Sequence, residues 1–188
     1  MTDGIEPDPV RPDTVQPDTK DWTWVLDRPC PDCGFDPAAV EPTTVAARLR
    51  SDAADWVARL ARPGVDTRPA PGVWSALEYG CHIRDVHRIF DHRVRLMLTE
   101  IDPLFPNWDQ DATALAEDYR SQVPAIVAGE LSDAAAAVAE TYRGVPADAW
   151  SRRGLRSNGS EFTVASIAVY HLHDIVHHAW DVRAATGA

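Results

Sequence analysis

The sequence is poor in lysine and has a large excess of acidic residues. Lys20 is the only lysine among 18 basic residues, the rest being arginine, and 29 acidic residues give a formal net charge of -11. The negative electrostatic field of such a protein repels phosphate backbones and anionic membrane surfaces. We therefore expect neither nucleic acid nor a membrane among the partners.

Long apolar runs are also missing. No stretch approaches the roughly 20 consecutive apolar residues that a membrane-spanning helix needs. The first residues are acidic and rich in proline, whereas a secretory signal begins with basic residues followed by an apolar run. The sequence therefore predicts a cytoplasmic protein, and its 188 residues suffice for one domain of ordinary size plus a tail.

The region before the first predicted helix has two parts. Residues 1–20 repeat Pro-Asp and contain almost nothing that could be buried, so we expect a disordered tail. Residues 21–42 begin with Trp22 and Trp24, whose bulk predicts an extended strap docked on the core. The strap contains the string CPDCG at residues 30–34, a CxxC turn of the kind that places two thiolates on one tetrahedral metal.

The number of cysteines limits what this turn can be. A closed zinc site needs four ligands, and the third and last cysteine, Cys81, lies far away within a predicted helix. One hypothesis is a structural zinc at Cys30 and Cys33, of which the sequence shows half the ligands. The other, which the cysteine count favours, is a packed turn with two free or oxidisable thiols.

Hydrophobic spacing predicts four amphipathic helices after the strap. Apolar residues recur three and four positions apart, and Ser75 with Glu78 forms a capping box at the start of the second helix, where Trp74 and Tyr79 are a candidate hydrophobic staple. The predicted helices cover residues 43–62, 76–99, 122–143 and 163–185.

The connections between these helices define the topology. Residues 100–120 contain two prolines and polar turn formers, so they predict a long crossover that includes a short helix. Residues 150–161 are predicted to be a loop. Because no alternating strand pattern is convincing, we expect an all-α domain over residues 43–188, a four-helix bundle with the long crossover between helices 2 and 3.

Four of the seven histidines lie within eight residues of the last helix. His173 and His177, at i and i+4, are neighbours on successive turns, so both rings can reach one ion. His171 and His178 are seven residues apart, about 10 Å along the axis, and cannot chelate one metal directly. Asp174 with His178, also at i and i+4, is the rival pair.

A helical pair needs a third ligand from another element. His82 lies at the margin of the apolar stripe of the second helix, and in an antiparallel arrangement it is level with His173 and His177 to about one turn. His87 lies on the other margin, and His92 points outward. Three imidazoles with open positions for water or substrate are typical of a catalytic metal site. Zinc is the default metal, with nickel, iron or manganese as alternatives.

Two strings resemble the signature segments of the DinB-like superfamily, specifically those of its actinobacterial members. They are WSALEYGCHIRDVHRIF around His82 and TVASIAVYHLHDIVHHAWDV around His173 and His177, and the resemblance extends from about Val45 to the end. It implies a crossover four-helix bundle that binds a divalent metal through a histidine of the second helix and an HxxxH pair on the fourth. These roles fall on His82, His173 and His177. The resemblance also implies a possible homodimer.

The resemblance implies a class of reaction as well. Characterised relatives include the mycothiol-dependent maleylpyruvate isomerase and the bacillithiol transferases, in which metal lowers the pKa of a low-molecular-weight thiol. We therefore expect a metal-dependent transferase or isomerase that uses a thiol to attack a small electrophile. The arginine bias is typical of GC-rich coding, which favours mycothiol as the thiol. The alternative is a non-catalytic metal-binding bundle, a stress-related binding module or dimerisation scaffold.

Charged residues near the last helix are candidates for supporting roles. Arg152, Arg153 and Arg156 form a positive cluster in an acidic protein, and they are candidate binding residues for an anionic substrate or cofactor. The alternative is a solvated loop. Asp174 and Asp181 are candidate acceptors that orient a ligating imidazole.

Overall fold

The computed structural model describes residue 15 and residues 20–186 of the chain. The predicted disordered tail therefore lies almost wholly outside the described residues. Within them the helices are α1 Val45–Leu60, α2 Ala76–Thr99, α3 Gln110–Ala116, α4 Pro124–Arg143 and α5 Val164–Thr186. The strands are β1 Leu104–Phe105, β2 Arg153–Arg156 and β3 Glu161–Thr163.

The four long helices form the predicted bundle. α4 packs on both α1 and α2, and α5 also packs on both. The short helix α3 lies in the long connection between α2 and α4, so the predicted all-α fold and its crossover are confirmed. None of the described helices is long and apolar enough to cross a membrane.

The core consists of the apolar stripes that the helical spacing predicts. On α1, Leu49, Trp56 and Leu60 are all at most 3% exposed. The buried stripe of α2 comprises Ile83, Val86, Phe90, Val94 and Met97. Each such side chain contributes roughly 1.5–3 kcal/mol by leaving water, and most of the stability of an amphipathic helix comes from this packing.

The strap over residues 21–42 docks on this core. Val25 and Phe35 are buried, and the backbone forms three short 3-10 turns, at Thr23–Leu26, Pro37–Ala39 and Pro42–Thr44. Two of these turns begin with proline, whose fixed φ suits the first position of a helical turn. The strap is therefore a series of turns packed on the bundle, more compact than an extended segment.

A small sheet replaces the loop predicted for residues 150–161. β2 pairs antiparallel with β3 and parallel with β1. Strands of two to four residues are too short for an alternating pattern to be recognised, although Asn158-Gly159 is a hairpin signal and Gly159 has a φ of +96°. A Cβ on Gly154 would come within 2.7 Å of Met97 Cγ, so glycine lets the sheet rest directly on α2.

Candidate metal centre

The start of α2 fixes the position of His82. The Ser75 hydroxyl accepts a hydrogen bond from the Glu78 backbone N–H at 3.2 Å, and the Glu78 carboxylate accepts one from the Ser75 N–H at 2.8 Å. Trp74 packs edge-on against Tyr79, with ring centroids 5.4 Å apart, which confirms the predicted cap and staple. His82 lies on the second turn of this anchored helix and is 1% exposed.

His82 meets Asp174 and His178 of α5. The Asp174 Oδ1 atom lies 3.5 Å from His82 Nε2 and 3.3 Å from His178 Nε2. Ligands at 2.0–2.2 Å from a tetrahedral zinc are separated from one another by roughly 3.3–3.6 Å. The two distances to Asp174 have this spacing, and one ligand atom from each of the three residues lies within 4.8 Å of the others.

The polar atoms of this group are incompletely satisfied by the protein. Both ring nitrogens of His82 and the Oδ1 of Asp174 are buried and have no hydrogen-bond partner among the described residues. The ion-pair distances above do not meet hydrogen-bond geometry. Since an unsatisfied buried polar group costs about 1–3 kcal/mol, these atoms fit a bound cation.

The electrostatics of the group also suit a cation. Burial lowers the pKa of His82, which leaves its imidazole neutral, as a metal ligand must be. Although burial opposes it, the neighbouring imidazoles of His178 and His82 hold the pKa of Asp174 well below its usual value. Asp174 is therefore an anionic candidate ligand between two imidazoles.

Asp181 orients the third member of the group. Its Oδ2 lies 2.8 Å from His178 Nδ1, which leaves Nε2 facing Asp174. Despite burial, the adjacent carboxylates of Asp174 and Asp181 raise the pKa of His178 to about 9. A carboxylate on the far nitrogen of a ligating histidine is the usual supporting interaction in metal sites, and a cation at Nε2 would displace the proton there.

The other two predicted ligands lie elsewhere. His173 and His177 form a separate group with Cys30 and Cys33 of the strap, so the structure does not bring them to His82. Successive residues of a helix are rotated by about 100°, and it is the neighbouring rival pair, Asp174 and His178, that faces α2.

Two further histidines belong to the core. His87 Nδ1 lies 3.0 Å from His171 Nε2, and the other ring nitrogen of His171 lies 3.2 Å from the Tyr142 hydroxyl. Burial lowers the pKa of His87 to about 4 and that of His171 well below its usual value. Both are neutral packed residues. His92 is exposed, as expected.

A cleft of about 800 Å³ opens beside the His82 group. Asp174 and His178 line it, and Trp108 extends from its wall to stack on His82, with ring planes 10° apart. The other tryptophans of the wall are Trp22, Trp74 and Trp180. The wall also carries several carboxylates, among them Asp109, Asp111 and Asp181, so the cleft combines aromatic surface with many polar groups.

The three predicted arginines have different roles. Arg152 donates hydrogen bonds to the Met97 and Glu100 carbonyl oxygens near the C-terminus of α2, a structural contact. Arg153 forms an exposed ion pair with Glu161. Arg156 lines the cleft, whereas Arg152 and Arg153 do not. It is therefore the one in position to contact a ligand there.

Comparisons with known proteins agree with this architecture. The sequence profile of the DinB superfamily matches residues 46–182, well over half of the chain. Among solved structures, the fold is similar to YfiT from Bacillus subtilis, described as a probable metal-dependent hydrolase with an unusual four-helix bundle topology. The TM-score is 0.67 at 18% identity, over 81% of this chain and 94% of YfiT, so this likeness bears on the fold alone.

No curated protein matches the chain significantly. The extent of the profile match shows that the chain belongs to the DinB superfamily.

Proposed function

We propose that this protein is a cytoplasmic metal-dependent enzyme whose divalent ion is held by His82, Asp174 and His178. In this proposal a low-molecular-weight thiol of the mycothiol class attacks a small electrophile in the adjacent cleft. The observation that carries the proposal is the group of three ligands beside a cleft. Structural metal sites close with a fourth protein ligand, whereas catalytic sites keep a position for substrate.

The donor set is compatible with several metals. Two imidazoles and a carboxylate suit zinc, and also nickel, iron or manganese. When bound, such an ion stabilises the anionic form of a thiol or water, which makes it a nucleophile at neutral pH. Two neutral imidazoles and one carboxylate neutralise only one of two positive charges, so the residues themselves favour an anionic nucleophile over a neutral one.

The residues of this chain have distinct tasks in the proposal. Asp181 accepts from His178 Nδ1 and so keeps Nε2 directed at the site. Trp108 stacks on His82, with ring centroids 5.2 Å apart, and keeps water from that side of the imidazole. Arg156 supplies a positive charge in the cleft wall, which suits a carboxylate on the electrophile or the thiol.

Two other activities compete with thiol transfer. YfiT is described as a probable metal-dependent hydrolase, and water in place of the thiol would give hydrolysis at the same group. A non-catalytic bundle, which binds metal and acts as a binding module or a homodimeric scaffold, is the alternative outside enzymology. The three possibilities differ in whether the electrophile is consumed and whether consumption needs a thiol.

The experiment combines metal analysis with a substrate panel. Tag-free, metal-loaded protein is incubated with maleylpyruvate and chlorinated aromatics, with and without mycothiol. Thiol-dependent consumption is expected. Consumption that needs no thiol would indicate a hydrolase, and no consumption at all would favour the scaffold.

A matched pair of variants tests the ligand group. His82→Ala should lose one metal equivalent and the activity, whereas His92→Ala, an exposed histidine of the same helix, should keep both. Equal metal content and activity in the two variants would contradict the proposed centre.

A further inference from the structure

We propose that Cys30, Cys33, His173 and His177 form a second, closed metal site of the structural zinc class. The site ties the strap to α5. It is independent of the proposed function, because none of its four ligands belongs to the His82 group. It also supplies the two zinc ligands that the CxxC turn lacks in the sequence.

The spacing of the four ligands fits a tetrahedral ion. One ligand atom from each residue lies within 4.8 Å of all the others, and Cys30 Sγ lies 3.6 Å from His177 Nδ1. Zinc bonds of about 2.3 Å to sulfur and 2.0–2.1 Å to nitrogen give tetrahedral ligand separations of roughly 3.3–3.8 Å. The cluster therefore needs only small side-chain adjustments to surround one ion.

The backbone of the CxxC turn holds its two sulfur atoms together. The Gly34 N–H donates to the Cys30 carbonyl oxygen at 3.0 Å, and the Cys30 N–H donates to the Phe35 carbonyl oxygen at 2.8 Å. Gly34 has a φ of +73°, which glycine adopts without strain. Because these bonds close the turn without help from an ion, the thiol pair is preorganised.

The histidine pair lies on the other side of the site, on α5. His177 presents Nδ1 to Cys30, and its Nε2 lies 3.8 Å from Asp181 Oδ1, which is too long for a hydrogen bond. His173 is 3% exposed, and its Nε2 has no hydrogen-bond partner among the described residues. An ion would satisfy this buried nitrogen, which otherwise costs about 1–3 kcal/mol.

The chemistry of the four ligands selects zinc and a structural role. Two thiolates and two imidazoles in a tetrahedral arrangement are typical of zinc, and the two thiolate charges neutralise the dication. A site without net charge tolerates burial, and Cys30 is 1% exposed. With four protein ligands the tetrahedron is full, so no position remains for a substrate.

The location of the site gives it a consequence for the cleft. Trp22 of the strap lies with its ring centroid 4.8 Å from that of His177, and Trp22 and Asp32 both line the cleft. An ion at the second site would therefore fix the strap as one wall of the cleft.

Metal stoichiometry tests the proposal in the full-length, tag-free protein. Replacing Cys30 and Cys33 by serine together should remove one equivalent of zinc relative to wild type, as measured by elemental analysis. Cys81→Ser is the matched control, because this third cysteine contacts Tyr119 and Gln122 instead. An unchanged zinc content in the double variant would overturn the second site.

Cobalt substitution supplies a readout in wild type that does not depend on how the double variant folds. Cobalt bound by thiolates gives sulfur-to-metal charge-transfer absorption, which we expect in wild type and in His82→Ala. Absence of this absorption from cobalt-loaded wild type, or a Cys30–Cys33 disulfide in the protein as purified, would overturn the proposal. Failure of the His82 centre would instead leave this absorption unchanged, so the two proposals fail separately.

Discussion

Asp181 is the residue whose removal should distinguish the two ligand groups. Its Oδ2 is 2.8 Å from His178 Nδ1, whereas its Oδ1 is 3.8 Å from His177 Nε2. The contact with His178 is therefore a hydrogen bond, whereas the contact with His177 is too long to be one. We therefore expect Asp181→Ala to weaken metal binding at the His82 group more than at the cysteine-containing group.

The size of the effect follows from this contact. Loss of a carboxylate behind a ligating histidine lowers metal affinity by about 10- to 100-fold, which equals roughly 1.4–2.7 kcal/mol. The Asp181 side chain is 22% exposed, so water replaces part of the lost interaction and the result should lie towards the 10-fold end. Asp181→Asn keeps an acceptor oxygen but loses the charge, and should fall between wild type and Asp181→Ala.

Competition with a chromophoric chelator measures this affinity. Replacing Cys30 and Cys33 by serine in the same chain isolates the His82 group, and His82→Ala isolates the cysteine-containing group, so titration of each apoprotein reports one site. Glu140→Ala is the control, since Glu140 forms exposed ion pairs with Arg50 and Arg143. An Asp181→Ala affinity equal to that of the control would refute the assigned role of Asp181.

Three further predictions concern stability. Gly154→Ala should lower the free energy of unfolding by about 1–3 kcal/mol in urea titrations, because its Cβ would overlap Met97. Gly129→Ala, in α4 with nothing within 4 Å of the added Cβ, should instead raise it by about 0.5–1 kcal/mol; destabilisation would contradict the open space there. Asp85 is buried, yet hydrogen bonds from Arg84 and Tyr119 lower its pKa. The contribution of the Asp85 carboxylate to stability is therefore complete above its unfolded pKa of about 3.9 and is lost as pH falls through the lower pKa of the folded state. Asp85→Asn should thus be more destabilising at neutral pH than at about pH 2.

Local signals in the sequence predict most of the fold. The capping box at Ser75 and Glu78 and the apolar stripe of α1 act within a few residues, so they are readable without tertiary information. The hairpin around Asn158-Gly159 had a local signal too, but its strands are too short to show a period of two.

The ligand groups depend on information that helical spacing lacks. Periodicity gives the angle of a residue around its own helix, not the rotation of that helix relative to α2. Both His173 with His177 and Asp174 with His178 satisfy the i, i+4 spacing, and only packing decides which pair meets His82. The meeting of Cys30 with His177 spans 147 residues, and no local pattern encodes a contact of that range.

His173 and His177 alternate with Asp174 and His178 on α5, so this one helix fixes the position of each pair relative to the other. Corresponding members of the two pairs are adjacent in sequence, so they differ by about 1.5 Å along the axis and about 100° around it. Loop changes elsewhere leave that offset unaltered. A one-residue insertion in α5 before His173 would turn both pairs away from their partners together, whereas the same insertion after Asp181 would leave the angular position of both pairs unchanged.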